Sequence, residues 1–252
     1  MKTAIITGAS AGLGLEFVRQ LEENFPDIDC VWLIARSEEK LQQAAGLLQK
    51  ATAKILSLDL CAMDGLESLA SELDAQKPDI ALLVNNAGCG VLGNIGETDW
   101  VAQTHMVDLN VRAMTAAAAL AVPYMARGAR IINVSSISSF CPNPRMTVYS
   151  ASKSYVSAFS RGLGEELKPK GITVTAVCSG PMDTEFLDKA DIRGKSKTFE
   201  ILPYCNPVQV VRGSYAAAKA GKAVYTPRAF YKLYRGIAKM LPQKLMIQFT
   251  KT

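Results

Sequence analysis

The chain has 252 residues, 49% of them hydrophobic and 20% charged, an ordinary globular balance. Such a length suits one α/β domain or two small ones, and buries a large core without needing disulfides or a structural metal. The net charge of +5 would suit an anionic cofactor or membrane surface. Clustered basic residues with aromatics, the mark of a nucleic-acid binder, are approached only from Arg228 onward, so no nucleic-acid partner is expected.

In chain order, short apolar or β-branched runs alternate with longer amphipathic stretches. Strands are predicted at Thr3–Thr7, Cys30–Ala35, Lys54–Leu58, Ile80–Asn85, Arg130–Ser135 and Ile172–Cys178, with a short seventh at Ala223–Tyr225. Helices are predicted at Leu13–Asn24, Glu38–Lys50, Met63–Ala75, Asp99–Met125 and Val148–Lys168. Near-continuous apolar strands, each followed by a helix, predict a single Rossmann-type doubly wound α/β domain over 1–252. Its sheet would be mostly parallel, of six or seven strands, with helices on both faces. Residues 183–206 are the least regular and most polar, and read as a substrate lid inserted after the sixth strand. Residues 228–252 form a C-terminal amphipathic segment.

The opening MKTAIITGASAGLG turns glycine-rich after a short apolar run, unlike a secretory signal. The Ala-rich stretch Met114–Val122 is too short to cross a bilayer. Six separated cysteines (Cys30, Cys61, Cys89, Cys141, Cys178, Cys205), with no CxxC, read as buried free thiols. A reducing, cytoplasmic location is the expectation. The only histidine, His105, rules out a His-rich zinc site; it reads as structural, and no metal is expected.

The first strand runs straight into Thr7-Gly8-Ala9-Ser10-Ala11-Gly12-Leu13-Gly14 and a helix. Gly8 permits a sharp exit from the strand, Gly12 lets a pyrophosphate approach the backbone, and Gly14 allows close helix–sheet packing. Free N–H groups and the positive helix end would then face the phosphates. The second strand ends Ala35-Arg36-Ser37, where an NAD site usually carries an acid for the ribose hydroxyl. Arg36 can pair with a 2′-phosphate and Ser37 can add a hydrogen bond, so NADP(H) is the expected cofactor. Otherwise Arg36 is simply a solvated helix-start residue.

Tyr149 and Lys153 lie one helical turn apart. A phenol has a pKa near 10, and an ammonium about 4 Å away is worth roughly 4 kcal/mol at an effective dielectric of ~20, about three pKa units. That would bring the phenol towards neutrality, where acid–base catalysis is most effective.

Four elements coincide in order: TGxxxGxG at Thr7–Gly14, NNAG at Asn85–Gly88, Ser136 before the helix, and YxxxK at Tyr149–Lys153. Together they resemble the short-chain dehydrogenase/reductase family over roughly residues 3–184. The resemblance implies a catalytic set of Asn110, Ser136, Tyr149 and Lys153. Ser136, thirteen residues before Tyr149, has the family's usual spacing and is preferred to Ser135. Tyr149 would donate a proton to a carbonyl oxygen as hydride arrives from the nicotinamide. Lys153 would lower its pKa and hold the ribose, Ser136 would polarise the substrate oxygen, and Asn110 would support a water-linked relay. Cofactor contacts are implied at Gly8, Ser10, Gly12, Leu13, Gly14, Arg36, Ser37, Asp59, Asn86, Ala87, Gly88, Tyr149, Lys153 and Thr184. The family's Pro-Gly turn after the sixth strand here reads Ser179-Gly180, which predicts a looser turn before Thr184.

The substrate walls are expected from Ser138–Met146, Cys89–Leu92 and Met182–Phe199. Phe140, Met146, Phe186, Leu187 and Phe199 are available as apolar liners, with Arg145 the nearest cation. They suggest a hydrophobic ketone or aldehyde, or else they simply pack the lid. The C-terminal segment mixes Phe230, Tyr231, Leu233, Tyr234, Ile237, Met240 and Leu241 with Arg228, Lys232, Arg235 and Lys239. Beyond Pro242 come Leu245, Met246, Ile247 and Phe249. It would cover the cleft, form a subunit contact or lie on a membrane surface. A homodimer or homotetramer through Asp99–Met125 and Tyr149–Lys168 is implied by the resemblance. The alternatives are a non-catalytic NADP(H)-binding redox sensor, which should lack one of the four catalytic residues, and an epimerase or dehydratase, which tends to carry a larger C-terminal domain.

Overall fold

The apolar runs become strands because both faces of the sheet are covered. The computed structural model describes residues 1–250; Lys251 and the Phe249 side chain, both counted in the amphipathic segment, lie outside the described residues. β1 (Lys2–Thr7), β2 (Cys30–Ala35), β3 (Thr52–Ser57), β4 (Asp79–Asn85), β5 (Arg130–Val134), β6 (Thr173–Val177) and β7 (Val224–Tyr225) form one seven-stranded sheet. Its order is β3-β2-β1-β4-β5-β6-β7, and every pairing is parallel. The single α/β domain with a Rossmann-type sheet is therefore present.

Alternation along the strands assigns side chains to two cores. Ala4, Ile6, Val84, Ile132 and Val177 face one side, against Phe17 and Val18 of α1 (Gly12–Arg19), beyond which lie the short α2 (Leu21–Asn24) and α3 (Glu38–Ala45). Ile5, Leu83, Ile131 and Val174 face the other, against Leu69 and Leu73 of α4 (Met63–Gln76). Each fully buried aliphatic side chain contributes about 1.5–3 kcal/mol relative to exposure.

The predicted helix Asp99–Met125 is broken. α5 (Trp100–Val107) passes through a π-helical turn, Asp108–Ala113, into α6 (Met114–Ala121), and a 3₁₀ turn at Val122–Tyr124 follows where Pro123 ends the regular ladder. The predicted Leu13–Asn24 breaks at Gln20, and Glu38–Lys50 stops at Ala45. α7 (Thr147–Leu167) matches its expected bounds within a residue.

Residues 183–206 hold two short helices, α8 (Glu185–Lys189) and α9 (Lys197–Ile201). α10 (Pro207–Lys219) was not expected from the sequence. Asn206 caps it by accepting from Val208 and Gln209 N–H groups, and Val210, Val211, Tyr215 and Ala218 complete the first core. The Tyr215 hydroxyl donates to the Phe17 carbonyl at 2.6 Å, tying α10 to α1.

α11 (Ala229–Met240) and α12 (Gln243–Phe249) end the described chain. α11 buries Tyr231 but leaves Phe230, Leu233, Ile237 and Met240 exposed. It does not cover the main cleft. α12 buries Met246, and beyond it Thr250 meets the cleft-side loop: its hydroxyl donates to the Pro142 carbonyl at 2.9 Å. No helix among the described residues is long and apolar enough to cross a membrane.

Candidate active site

In a sheet of this order the strand order reverses between β1 and β4, and a crevice opens outside the carboxyl ends of those strands. A cleft of about 460 Å³ lies there. One end is lined by Arg36, Ser37 and Asp59, the middle by Ser10, Gly12, Leu13, Ala87 and Gly88, and the far end by Ser136, Tyr149, Phe186 and Phe199.

The floor of the middle section is two interlocked turns. Gly8 has φ +65°, and a Cβ there would fall 2.8 Å from Asn86 Nδ2. The Asn86 amide donates to the Thr7 and Gly8 carbonyls at 3.1 and 3.2 Å. The Thr7 hydroxyl accepts from the Asn86 and Ala87 N–H groups at 3.0 and 3.1 Å. Gly14 has no room for a side chain: a Cβ would sit 1.9 Å from the Gly8 carbonyl oxygen. Gly12, by contrast, is open, with nothing nearer than the Thr184 side chain at 3.8 Å. Ala11, the N-cap of α1, supplies no side-chain cap, so the first-turn N–H groups have no side-chain partner. Gly14→Ala should therefore lose at least about 1–3 kcal/mol of stability through overpacking and much of any dinucleotide affinity. Gly236→Ala, in open space on α11, is the control. Thermal unfolding and cofactor fluorescence titration read both, and a Gly14→Ala protein that behaves like Gly236→Ala sinks the argument.

At the end nearest β2, Arg36 is exposed and has no acidic partner among the described residues. The Ser37 hydroxyl caps α3 by accepting from Lys40 N–H. Lys40 also lines the cleft, and its ammonium lies 3.8 Å from Glu185 across the rim. Sequence reading missed Lys40, although it follows Arg36 by about one helical turn. Asp59 lines the cleft and its carboxylate accepts from Cys61 N–H at 2.9 Å.

The π-helical turn carries Asn110 inward. Its carbonyl oxygen accepts from Cys89 N–H at 2.9 Å, and its amide donates to the Cys89 carbonyl at 2.9 Å and the Ser152 hydroxyl at 3.0 Å. A widened turn of this kind often marks a functional position. Ser136 starts a 3₁₀ turn after β5, and its hydroxyl accepts from Ser138 N–H at 3.1 Å. Tyr149 and Lys153 project from α7, both buried. Lys153 donates to the Val134 carbonyl at 3.0 Å. Ser136, Tyr149 and Lys153 thus line one end of the cleft, with Asn110 behind it.

The expected electrostatics of the pair need correction. The Lys153 ammonium lies 5.8 Å from the Tyr149 ring centre. Burial pushes the Tyr149 phenol up to about 12, opposed by hydrogen bonding with Ser136. Burial also lowers Lys153 to about 8, with the Cys89 and Cys178 thiols opposing. Desolvation, not the through-space attraction that spacing alone suggests, sets the direction of both shifts.

The walls also differ from expectation. Phe186, Leu187 and Phe199 line the cleft, as do Met182 and Leu202. Phe140 instead turns towards Tyr234, ring centres 6.1 Å apart, and Met146 is buried beneath Tyr149. Phe186 packs against Tyr149 with ring centres at 5.7 Å. The turn at Ser179 is not loose. The Ser179 carbonyl accepts from Ile137 N–H at 2.9 Å, and Gly180 lies so close to Tyr231 that a Cβ would fall 2.3 Å from its ring. His105 lines the cleft with Nε2 4.0 Å from Cys61 Sγ. Ser138 and Asn143, within the expected wall segment Ser138–Met146, also reach the cleft.

A family model described as short chain dehydrogenase matches residues 2–193. An uncharacterized oxidoreductase of Staphylococcus saprophyticus is 30% identical over 201 residues, 78% of this chain and 85% of the relative. Another, from Staphylococcus epidermidis, is 27% identical over 198 residues, 78% and 84% of the two chains. Among solved structures, a short-chain dehydrogenase from Sphingobium yanoikuyae in complex with NADPH superposes with a TM-score of 0.82 at 25% identity, covering 98% of this chain and 95% of that one. A bulky-bulky ketone specific alcohol dehydrogenase from Comamonas testosteroni gives 0.76 at 25% identity, covering 98% and 94%.

Proposed function

This chain belongs to the short-chain dehydrogenase family, and from that premise we propose that it transfers hydride between NADP(H) and a carbonyl or secondary alcohol, the carbonyl compound being a hydrophobic ketone or aldehyde. The observation that carries the reading is that Ser136, Tyr149 and Lys153 line the same end of a cleft floored by the Gly8–Gly14 turn. When bound, the nicotinamide cofactor supplies or accepts the hydride.

The residues present fit such a dinucleotide. Gly12 leaves its backbone open to the cleft, the first turn of α1 offers N–H groups, and Arg36 offers a guanidinium with no acidic partner among the described residues, where an acid would repel a 2′-phosphate. Ser10, Leu13, Ser37, Asp59, Asn86–Gly88 and Thr184 complete the set of holding residues. Lys153 orients the nicotinamide ribose, Ser136 donates to the substrate oxygen and polarises it, and Tyr149 delivers the proton to that oxygen during reduction. Asn110, through Cys89 and Ser152, fixes the turn beside Lys153.

Support for the substrate class is the apolar wall of Phe186, Leu187, Phe199 and Leu202, contributed by residues 183–206, which we read as a lid. The ketone specificity of the Comamonas testosteroni relative points the same way. Oxidation of NADPH across a carbonyl panel tests it; a clear preference for small charged oxoacids sinks the apolar substrate. Arg36→Ala should weaken NADP(H) about tenfold or more, the loss of one charge-assisted contact, while leaving NAD(H) affinity nearly unchanged. Equal wild-type affinities for the two cofactors would remove the NADP(H) assignment.

For assembly, exposed Trp100, Val101 and Val107 on α5 and Tyr155 on α7 support a homodimer or homotetramer through these helices. Size-exclusion chromatography with light scattering tests it, and a monomer at micromolar concentration overturns it. All six cysteines are free, which supports a reducing, cytoplasmic location.

A further inference from the structure

We propose that a second cavity, between α7 and α11, is a binding site for a small phosphate-class oxyanion. This cavity, about 160 Å³, shares no lining residue with the main cleft. Three cations line it, Arg161 from α7 with Arg235 and Lys239 from α11, together with Ser139, Ser157 and Cys178 and the apolar Phe140, Val224 and Ala238. No acidic residue lines it.

Among the described residues none of the three cations is in an ion pair. Arg161 and Lys239 are exposed and Arg235 is half-buried; the Arg161 Nε–H donates to the Ser157 carbonyl at 3.0 Å. Glu165, one turn along α7, is directed to Lys168 at 3.4 Å. The sequence offers α11 no compensation either, because no Asp or Glu occurs after Glu200. Three cations line this small cavity with no acid among its liners, and a multiply charged anion is attracted to such a site. Two guanidinium forks and an ammonium suit the several oxygens of a tetrahedral oxyanion.

The occupant is small and soluble rather than a lipid surface. At about 100° per residue, Phe230, Leu233 and Ile237 fall on the opposite flank of α11 from Lys232, Arg235 and Lys239. The lining cations Arg235 and Lys239 lie about 100° or more from every exposed apolar residue of α11, Met240 included. The cavity also touches the machinery next door. The Ser139 hydroxyl donates to the Ser136 carbonyl at 2.7 Å, and the Ser157 and Ser135 hydroxyls share a hydrogen bond at 2.8 Å. The Ser135 hydroxyl in turn donates to the Lys153 carbonyl at 2.8 Å. An anion held there would brace the segment that carries Ser136. The binding site itself does not depend on the proposed reaction.

Calorimetric titration of the full chain with inorganic phosphate, at constant ionic strength, tests the site. It is run in an Arg36→Ala background, which removes the cation proposed to hold the cofactor 2′-phosphate. One phosphate should bind, about tenfold or more weakly in Arg235→Gln and in Lys239→Gln, the cost of one charge-assisted hydrogen bond. Lys232→Gln, a cation outside the cavity, should bind as the background does. Lys239 is exposed, so its variant remains informative where Arg235→Gln does not fold. Absence of phosphate binding overturns the proposal, as does binding that survives both substitutions or falls equally in Lys232→Gln. So does a protein that pellets with phosphatidylglycerol vesicles yet takes up no free phosphate.

Discussion

Tyr149→Phe is expected to lower kcat by about 10²–10⁴-fold, the range for removing a general acid–base group, while cofactor affinity stays within about twofold. The substitution removes one oxygen and keeps the ring. The ring supplies the packing, against Phe186 at 5.7 Å and the buried Leu92, Met106 and Met146 cluster, so the fold should be unaffected. Steady-state kinetics and a cofactor fluorescence titration separate chemistry from binding. Residual activity within tenfold of the wild type would falsify the proton-donor role. A wild type that binds cofactor tightly but turns over no carbonyl in the panel would favour the redox-sensor alternative instead. The pH dependence follows from burial. With the phenol pushed up to about 12, Tyr149 is protonated at neutral pH and ready to donate in carbonyl reduction. Alcohol oxidation needs the ionised form, so its rate should climb from neutral pH upward, whereas reduction should not.

The strands were legible because a parallel sheet covered on both faces demands unbroken apolar runs, and Cys30–Ala35 has the same bounds in sequence and structure. The glycine turn was legible because Gly8 and Gly14 are forced by contacts within a few residues and with the NNAG segment. Features that depend on distant partners were not. The π-helical turn at Asp108–Ala113 is held by Asn110 reaching Cys89 and Ser152, and no local periodicity announces it. Lys40 became visible only when Glu185 arrived across the rim. Phe140 looked like a cleft liner by sequence position, but Tyr234, ninety-four residues later, draws it to the opposite side of its loop. Spacing placed Tyr149 and Lys153 on one helical face, yet could not report that both are buried, and burial reverses the sign of the phenol's shift.

Lys153→Met carries the sharpest consequence of that burial. A lysine lowered from its ordinary 10.5 to about 8 binds fewer protons in the folded than in the unfolded chain between those two values. Stability therefore rises with pH across that window, and below about pH 8 the native state bears the full cost of a buried ammonium. A difference of 2.5 units corresponds to about 3 kcal/mol, an upper figure, because the hydrogen bond to Val134 at 3.0 Å is also lost on substitution. Methionine keeps a similar unbranched shape without the charge. The variant should thus be more stable than the wild type at pH 7, by up to about 3 kcal/mol, and the advantage should shrink between pH 8 and 10. Its kcat should fall by at least about 10²-fold, since the charge proposed to orient the ribose beside Tyr149 is gone. Urea unfolding at pH 7, 8.5 and 9.5, paired with kinetics, reads both effects. A variant less stable than the wild type at pH 7, or one whose advantage does not change with pH, would show that the ammonium is compensated within the fold. A gain in stability together with a loss of turnover would instead mark Lys153 as a charge kept for chemistry at the expense of the fold.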